Sequence, residues 1–245
     1  MITLKRDELF NSGVNWNEMD WVRRMTSVIA VDDLAFNVVN AIKEKGQLDN
    51  TIFFLGSDNG YNLLSHKQLN KMSANEESMS ILLHANGAPF KKNVKDDQLV
   101  LLIDIAPTIY DILGYEKPLY IDGYSLLTSK KRSSVLFEYK NKNFYDDGDN
   151  LKHSPELENV ASVAPEQLLY DVPPFTAIRT FDHVLVEYYN CSPIGTNEYE
   201  LYDMINDPYQ LTNVYDNESY ADIKNSLADR LKKLEVCAGS ECIYI

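Results

Sequence analysis

Ile52-Phe53-Phe54-Leu55-Gly56-Ser57-Asp58-Asn59-Gly60 sets the architecture of this chain. Four apolar residues flanked by turn formers predict a short buried strand. The strand delivers a carboxylate and an amide at its C-terminal end. In open α/β sheets ligands bind just beyond the carboxyl ends of the strands. Asp58 and Asn59 carry hard oxygen donors of the kind that Ca²⁺ and Mg²⁺ take. Ser57 to Gly60 is also ordinary turn chemistry, so these four residues by themselves leave a metal loop and a plain turn both open.

Working outward, residues 17–45 read as one amphipathic helix, with Trp21, Met25, Val28, Ala35, Val38 and Ile42 mostly three or four apart. Asn17 is the expected N-cap, Asp20 lies in the first turn, and Gly46 is the expected stop. A helix feeding an apolar strand is α/β construction. Ile81-Leu82-Leu83-His84 predicts another short buried strand. Val100–Leu113 is apolar and ends at Gly114, with Pro107 tolerable only near a first helical turn. The character changes near residue 129, so two domains are expected, 1–128 and 129–245. Residues 140–160 are polar and read as a long loop. Thr176–Thr180, His183–Tyr189 and Glu200–Asp203 predict strands. Tyr220, Ile223, Leu227, Leu231 and Leu234 predict a closing amphipathic helix. The second part is thus a small antiparallel α+β unit.

The chain has 245 residues and a formal charge of −14. That balance argues against nucleic acid or an anionic membrane as the main partner. No apolar run approaches the length of a membrane span, and Met1–Arg6 leads into Asp7 and Glu8 rather than a signal-peptide core. Cys237 and Cys242 are placed for either a short disulfide loop or two free thiols. Asn190-Cys191-Ser192 and Asn217-Glu218-Ser219 fit the N-glycosylation pattern.

Downstream of Asp58 and Asn59 stand His66, Lys71, Glu76 and Glu77. A metal site that binds an anionic ester needs a cation for the non-bridging oxygens, a task Lys71 suits. His66 suits proton donation to a leaving oxygen or binding of the ester. Each is equally an ordinary surface residue when taken singly. The order of the whole stretch is more specific. Gly46-Gln47-Leu48-Asp49-Asn50-Thr51, the apolar strand, Ser57-Asp58-Asn59-Gly60, then His66, Lys71 and Glu76-Glu77-Ser78 closely resemble the sulfatase family of the alkaline phosphatase superfamily. Leu102–Thr108, Ile121–Leu126, Glu200–Asp203, Asn206–Asn213 and Cys237-Ala238-Gly239-x-x-Cys242 continue the resemblance.

The resemblance implies an alkaline phosphatase-like α/β sheet sandwiched by helices, followed by the antiparallel unit. It implies that Asp58 and Asn59 are two ligands of a divalent cation, usually Ca²⁺, and that Lys71 contacts the sulfate, with His66 at the family's His position. It implies a sulfated carbohydrate or aryl sulfate as substrate and a lysosomal or extracellular setting. The Asn-Asp-Pro-Tyr and Cys-Ala-Gly-x-x-Cys segments lean toward members acting on glucosamine-6-sulfate or similar glycosaminoglycan units. This chain departs from the family where glycines give way to Lys67 and Asn70, a Tyr to Asn75, and Arg-x-Pro-Leu to Ser80-Ile81-Leu82-Leu83.

A sulfatase also needs a nucleophile, a Cys or Ser in Cys/Ser-x-Pro-x-Arg that becomes formylglycine. That motif is not in this sequence. Cys191-Ser192-Pro193-Ile194-Gly195 has Gly where Arg is required and lies in the C-terminal unit. The chain therefore reads as the C-terminal half of a sulfatase, incomplete as a catalyst. A phosphate-ester hydrolase of the same superfamily and a non-catalytic glycan- or protein-binding module are the competing readings.

Overall fold

The structure, a computed structural model, describes residues 18–63, 65–129, 131–140, 172–191 and 196–245. It is a mixed α/β chain that divides into two compact units, 1–71 with 80–95, and 72–79 with 96–245. These limits cut the chain at other points than 128/129.

In the first unit, helix α1 runs Glu18–Glu44. The predicted stop is present: Gly46 has φ +65°, its N–H donates to Lys43 O at 2.9 Å, and Gln47 N–H donates to Ile42 O at 3.1 Å. Those paired bonds are a Schellman motif, which needs a left-handed residue at its centre. Asn17 lies outside the described residues. The core face expected of α1 is corrected. None of its described apolar side chains is buried; Val28 is 54% and Phe36 66% exposed. Moreover, Val22–Glu44 has the length and apolar composition of a membrane-crossing helix. The expectation that no such segment exists, and with it the absence of any signal-type apolar segment, is corrected. Charged residues broke the apolar runs and hid a helix that is apolar as a whole.

Strand β1 is Phe53–Gly56, half-exposed rather than buried as expected, with Leu55 39% exposed. The two-residue strands β2 (Asn62–Leu63) and β3 (Leu69–Asn70) form a small hairpin. After the single-turn helix α2, Glu76–Met79, strand β4 runs Leu83–Asn86 and pairs antiparallel with β1. The expected buried strand at 81–84 is thus shifted by two residues and half exposed, with Leu82 54% exposed. Among the described strands β1 and β4 hydrogen-bond only each other, so a two-stranded antiparallel pair stands where a sheet sandwiched by helices was expected. Gly87 ends β4 at φ +110°, where a Cβ would sit 2.6 Å from Thr51 O.

The second unit begins with the Met72–Met79 segment and continues through a 3₁₀ turn, Leu102–Asp104, into α3, Ile105–Ile112. Pro107 occupies its first turn and Gly114, at φ +72°, follows its end, both as the sequence predicts. Strands β5 (Ser134–Tyr139), β6 (Phe175–Thr180), β7 (His183–Cys191) and β8 (Thr196–Asp203) form an antiparallel sheet in chain order. Three of them were legible in the sequence; β5 was not. Side chains alternate across the sheet. Phe175, Ala177, Val184, Val186 and Tyr202 gather on one face with Ala74. Ile178, Leu185 and Leu201 gather on the other with Leu227, Leu231 and Leu234 of the final helix α4, Ala221–Leu234. Cys237 and Cys242 are disulfide-bonded.

Candidate functional site

Ser57 to Gly60 follows the last residue of β1, and the turn is held by its own atoms. Ser57 N–H donates to Leu82 O at 3.3 Å, tying the turn to the segment that leads into β4. Ser57 Oγ donates to Asn59 O at 2.7 Å, and Asn59 Nδ2 donates to Gly60 O at 2.7 Å. With its amide nitrogen engaged, Asn59 turns its Oδ1 outward, where Lys71 Nζ donates to it at 2.8 Å. Asp58 is exposed and Asn59 half-buried. The structure therefore brings Asn59 and Lys71 together across a separation of 12 residues, with Asp58 on the same turn. His66 stands between the hairpin strands β2 and β3, half-buried, with a left-handed backbone at φ 51°. Left-handed backbone at a non-glycine residue is uncommon, and here it falls within the Ser65–Lys67 turn between the two strands.

The donors are those a hard divalent cation accepts: one carboxylate, and one amide oxygen held outward by the amide's second bond. They fit as part of such a site. Among the described residues no three His, Cys, Asp or Glu side chains converge to hold an ion, so Asp58 and Asn59 are two donors rather than a coordination shell. A cavity of about 610 Å³ lies elsewhere, in the second unit, lined by residues including Arg132, Ser133, His183, Asp222, Ser226 and Arg230. It contains none of the site residues predicted from the sequence. Its lining mixes basic and acidic side chains, and the hard oxygen donors of Asp58 and Asn59 lie outside it.

Glu76, an ordinary surface residue when taken singly, is an anchor in the fold. Arg179 Nε donates to Glu76 Oε1 at 2.7 Å, and Glu76 N–H donates to Gln210 Oε1 at 2.8 Å. The Met72–Met79 segment is thereby pinned to β6 and to the turn after β8. The signal was Arg179 itself, a charge inside an apolar strand, which requires a partner.

The other motifs are scaffold. Asp104 is buried and accepts from both Arg132 guanidinium nitrogens, at 2.6 and 2.8 Å, and from Tyr124 N–H at 3.1 Å. Thr108 Oγ1 accepts from Leu126 N–H at 2.9 Å. Thus Leu102–Thr108 and Ile121–Leu126 interlock, and Gly123 is required because a Cβ there would lie 2.2 Å from Ile103 O. Asp122 Oδ1 accepts from Gly239 N–H at 2.6 Å and so holds the disulfide loop. Asp203 accepts from Ile205 N–H, Asn206 N–H, Asn206 Nδ2 and Tyr220 Oη. Those bonds, the Asn206 side chain's first, pull its pKa down to about 2. Asp207 accepts from Leu211 N–H and Thr212 N–H. The stretch from Asp203, at the end of β8, to Thr212 is a self-bonded turn. Burial pushes the Tyr189 phenol up to about 12.

The Asn217 side chain is exposed and accepts from Ser219 N–H at 3.0 Å. The Asn190 side chain and residues 192–195 of the Cys191–Gly195 motif lie outside the described residues, as does the polar stretch beyond Lys140.

A family model described as sulfatase matches residues 23–115, the helix, turn and hairpin that carry Asp58, Asn59 and Lys71. A second, described as N-sulphoglucosamine sulphohydrolase, C-terminal, matches 166–237. The chain belongs to the sulfatase family. This sulfatase-family chain is 28% identical to an arylsulfatase of Volvox carteri, over 89% of its own length and 35% of the relative's. It is 28% identical to the N-acetylglucosamine-6-sulfatase of Homo sapiens, over 99% of its own length and 45% of the relative's. The chain thus spans less than half the length of these relatives. A structure solved in complex with its substrate, D-glucosamine-2-N,6-O-disulfate, matches with a TM-score of 0.63 at 26% identity. That match covers 85% of this chain and 38% of the other.

Proposed function

We propose that this chain carries the C-terminal portion of a sulfatase that hydrolyses sulfate esters of amino sugars in glycosaminoglycans. In this reading residues 1–128 are part of an α/β catalytic domain whose sheet is sandwiched by helices, and 129–245 form its C-terminal subdomain. The single observation that carries it is the 2.8 Å contact between Lys71 Nζ and Asn59 Oδ1, which places an ammonium beside cation-type donors at the end of β1. Asp58 and Asn59 would hold a divalent cation, Ca²⁺ in the family. Such an ion neutralises charge on the ester oxygens. Lys71 binds the non-bridging sulfate oxygens as a point charge. His66 binds the ester or protonates its leaving oxygen. The disulfide and the exposed Asn217 sequon support a lysosomal or extracellular setting.

The test is a chimera in which this chain replaces the aligned region of the human N-acetylglucosamine-6-sulfatase. Lys71→Ala and Asp58→Ala should each lower kcat/KM on an aryl sulfate or N-acetylglucosamine-6-sulfate by about 100-fold or more. The 245-residue chain by itself should hydrolyse neither. Hydrolysis by the chain alone above its Lys71→Ala control, or a folded chimera indifferent to both substitutions, overturns the reading. A second reading, a sulfatase-like module that binds sulfated glycan without turnover, is favoured by the two-donor site. It expects glycan binding that survives Asp58→Ala.

A further inference from the structure

We propose that the cavity of the second unit is a saccharide-binding site that shares no residue with the Asp58 turn and holds a sulfated amino-sugar unit of a glycan. Its space of about 610 Å³ is lined by residues just before β5, by the turn between β6 and β7, and by α4, a size typical of small-molecule sites. The walls are tied in place. Arg132 is buried against Asp104, and its guanidinium lies 4.2 Å from the centre of the Tyr124 ring. Thr180 Oγ1 accepts from His183 N–H at 3.0 Å, which closes the turn that carries Phe181 and Asp182. Arg230 Nη2 donates to Ser133 Oγ at 3.0 Å and to Ile245 O at 3.1 Å. Walls fixed in advance lose little freedom when a ligand binds.

Other lining groups keep their bonding capacity. Among the described residues, the side chains of Lys131, Asp182, Asp222 and Ser226 make no hydrogen bond or ion pair. Phe181 is 44% exposed. Charges of both signs, a hydroxyl and an open aromatic ring in one cavity match the chemistry of a sugar. A sugar hydroxyl both donates and accepts, so carboxylates and cations each find a partner on the same ring. The Phe181 face covers the C–H side of a pyranose. Asp182 and Asp222 accept from its hydroxyl and N–H groups, and Lys131 meets the sulfate as a point charge. A plain polyanion patch has no use for the two carboxylates. The chain as a whole carries −14, so its net field repels a sulfated ligand and only local contacts can hold one. The choice of a sulfated amino sugar rests on the sulfatase reading above.

The experiment titrates the full chain calorimetrically with a heparin-derived tetrasaccharide and with its desulfated counterpart. Lys131, Phe181 and Asp222 are exposed, so alanine at each leaves the apolar clusters of the unit intact. The expected result is binding of the sulfated tetrasaccharide with a Kd tighter than about 1 mM, and binding of the desulfated one at least about fivefold weaker. Lys131→Ala, Phe181→Ala and Asp222→Ala should each weaken the sulfated ligand by about tenfold, the loss of one good contact. Asp58→Ala should leave its affinity unchanged. The sign at Asp222 is decisive. At a polyanion patch, removal of a carboxylate tightens binding of an anion; at a sugar site it weakens it. Tighter binding by Asp222→Ala, or indifference to Phe181→Ala, therefore overturns the proposal. So does a loss of binding in Asp58→Ala, which assigns the glycan to the β1 turn. Equal affinity for the two tetrasaccharides, or no binding of either, does the same. The readout is binding at the second unit, so its failure leaves the hydrolysis reading standing, and loss of the hydrolysis reading in the chimera leaves this result intact.

Discussion

Lys71 and Asn59 meet at a single oxygen, Asn59 Oδ1. In the structure Lys71 Nζ takes up a lone pair of Asn59 Oδ1, the same oxygen proposed for the cation. Two positive charges cannot share that approach without cost. Binding of Ca²⁺ to the chain should accordingly be weak, beyond about 10⁻⁴ M, and Lys71→Met should tighten it roughly threefold to tenfold at low salt. Calorimetric titration decides; micromolar affinity in the unsubstituted chain, or an affinity that Lys71→Met leaves unchanged, contradicts this account. Asp203 makes a different kind of prediction. Its pKa is lowered from 3.8 to about 2 in the folded chain, so its ionised form is favoured by folding. That contribution is complete above the unfolded value and is lost as pH falls from 3.8 through about 2. The difference in urea midpoint between the native chain and Asp203→Asn should be constant at higher pH and shrink through that window. A difference that persists at the acid end would show that Asp203 acts by shape rather than charge.

At the scale of elements, periodicity served where burial is local. Helix α4 was readable from Leu227, Leu231 and Leu234 because its apolar stripe packs on a sheet in the same unit. Leu231, 1% exposed, fills the face made by Ile178, Leu185 and Leu201. Leu231→Ala should cost about 3 kcal/mol, read as a lowered denaturant midpoint with unchanged slope; a loss below about 1 kcal/mol would mean the site collapses freely around the cavity. Strand β5 was missed because Ser134 and Glu138 dilute its apolar pattern. Its pairing with β6, from Ser134↔Thr180 to Tyr139↔Phe175, is a long-range choice that no window of sequence contains. The β4 register shifted for a similar reason: its end is set by the contact of Gly87 with Thr51, far away in the chain.

The whole molecule is uneven in its burial. The second unit holds both apolar clusters, while α1 in the first buries none of its described side chains. Opening free energies follow such differences. Amide exchange should therefore find β6 and β7 the slowest and Glu18–Glu44 among the fastest in the chain alone; equal protection in both would refute that ranking. The sequence by itself determined the family. It placed Asp58, Asn59, His66 and Lys71 in order after an apolar strand, and it placed the Gly46 and Gly114 stops, because turn chemistry, helix ends and motif spacing are local properties. Tertiary structure decided what those residues touch. It set Lys71 on Asn59, bound Glu76 to Arg179 and Gln210, and turned three family motifs into interlocked scaffold. It also left the apolar side chains of α1 exposed, because partners distant in the chain determine whether an apolar face is covered.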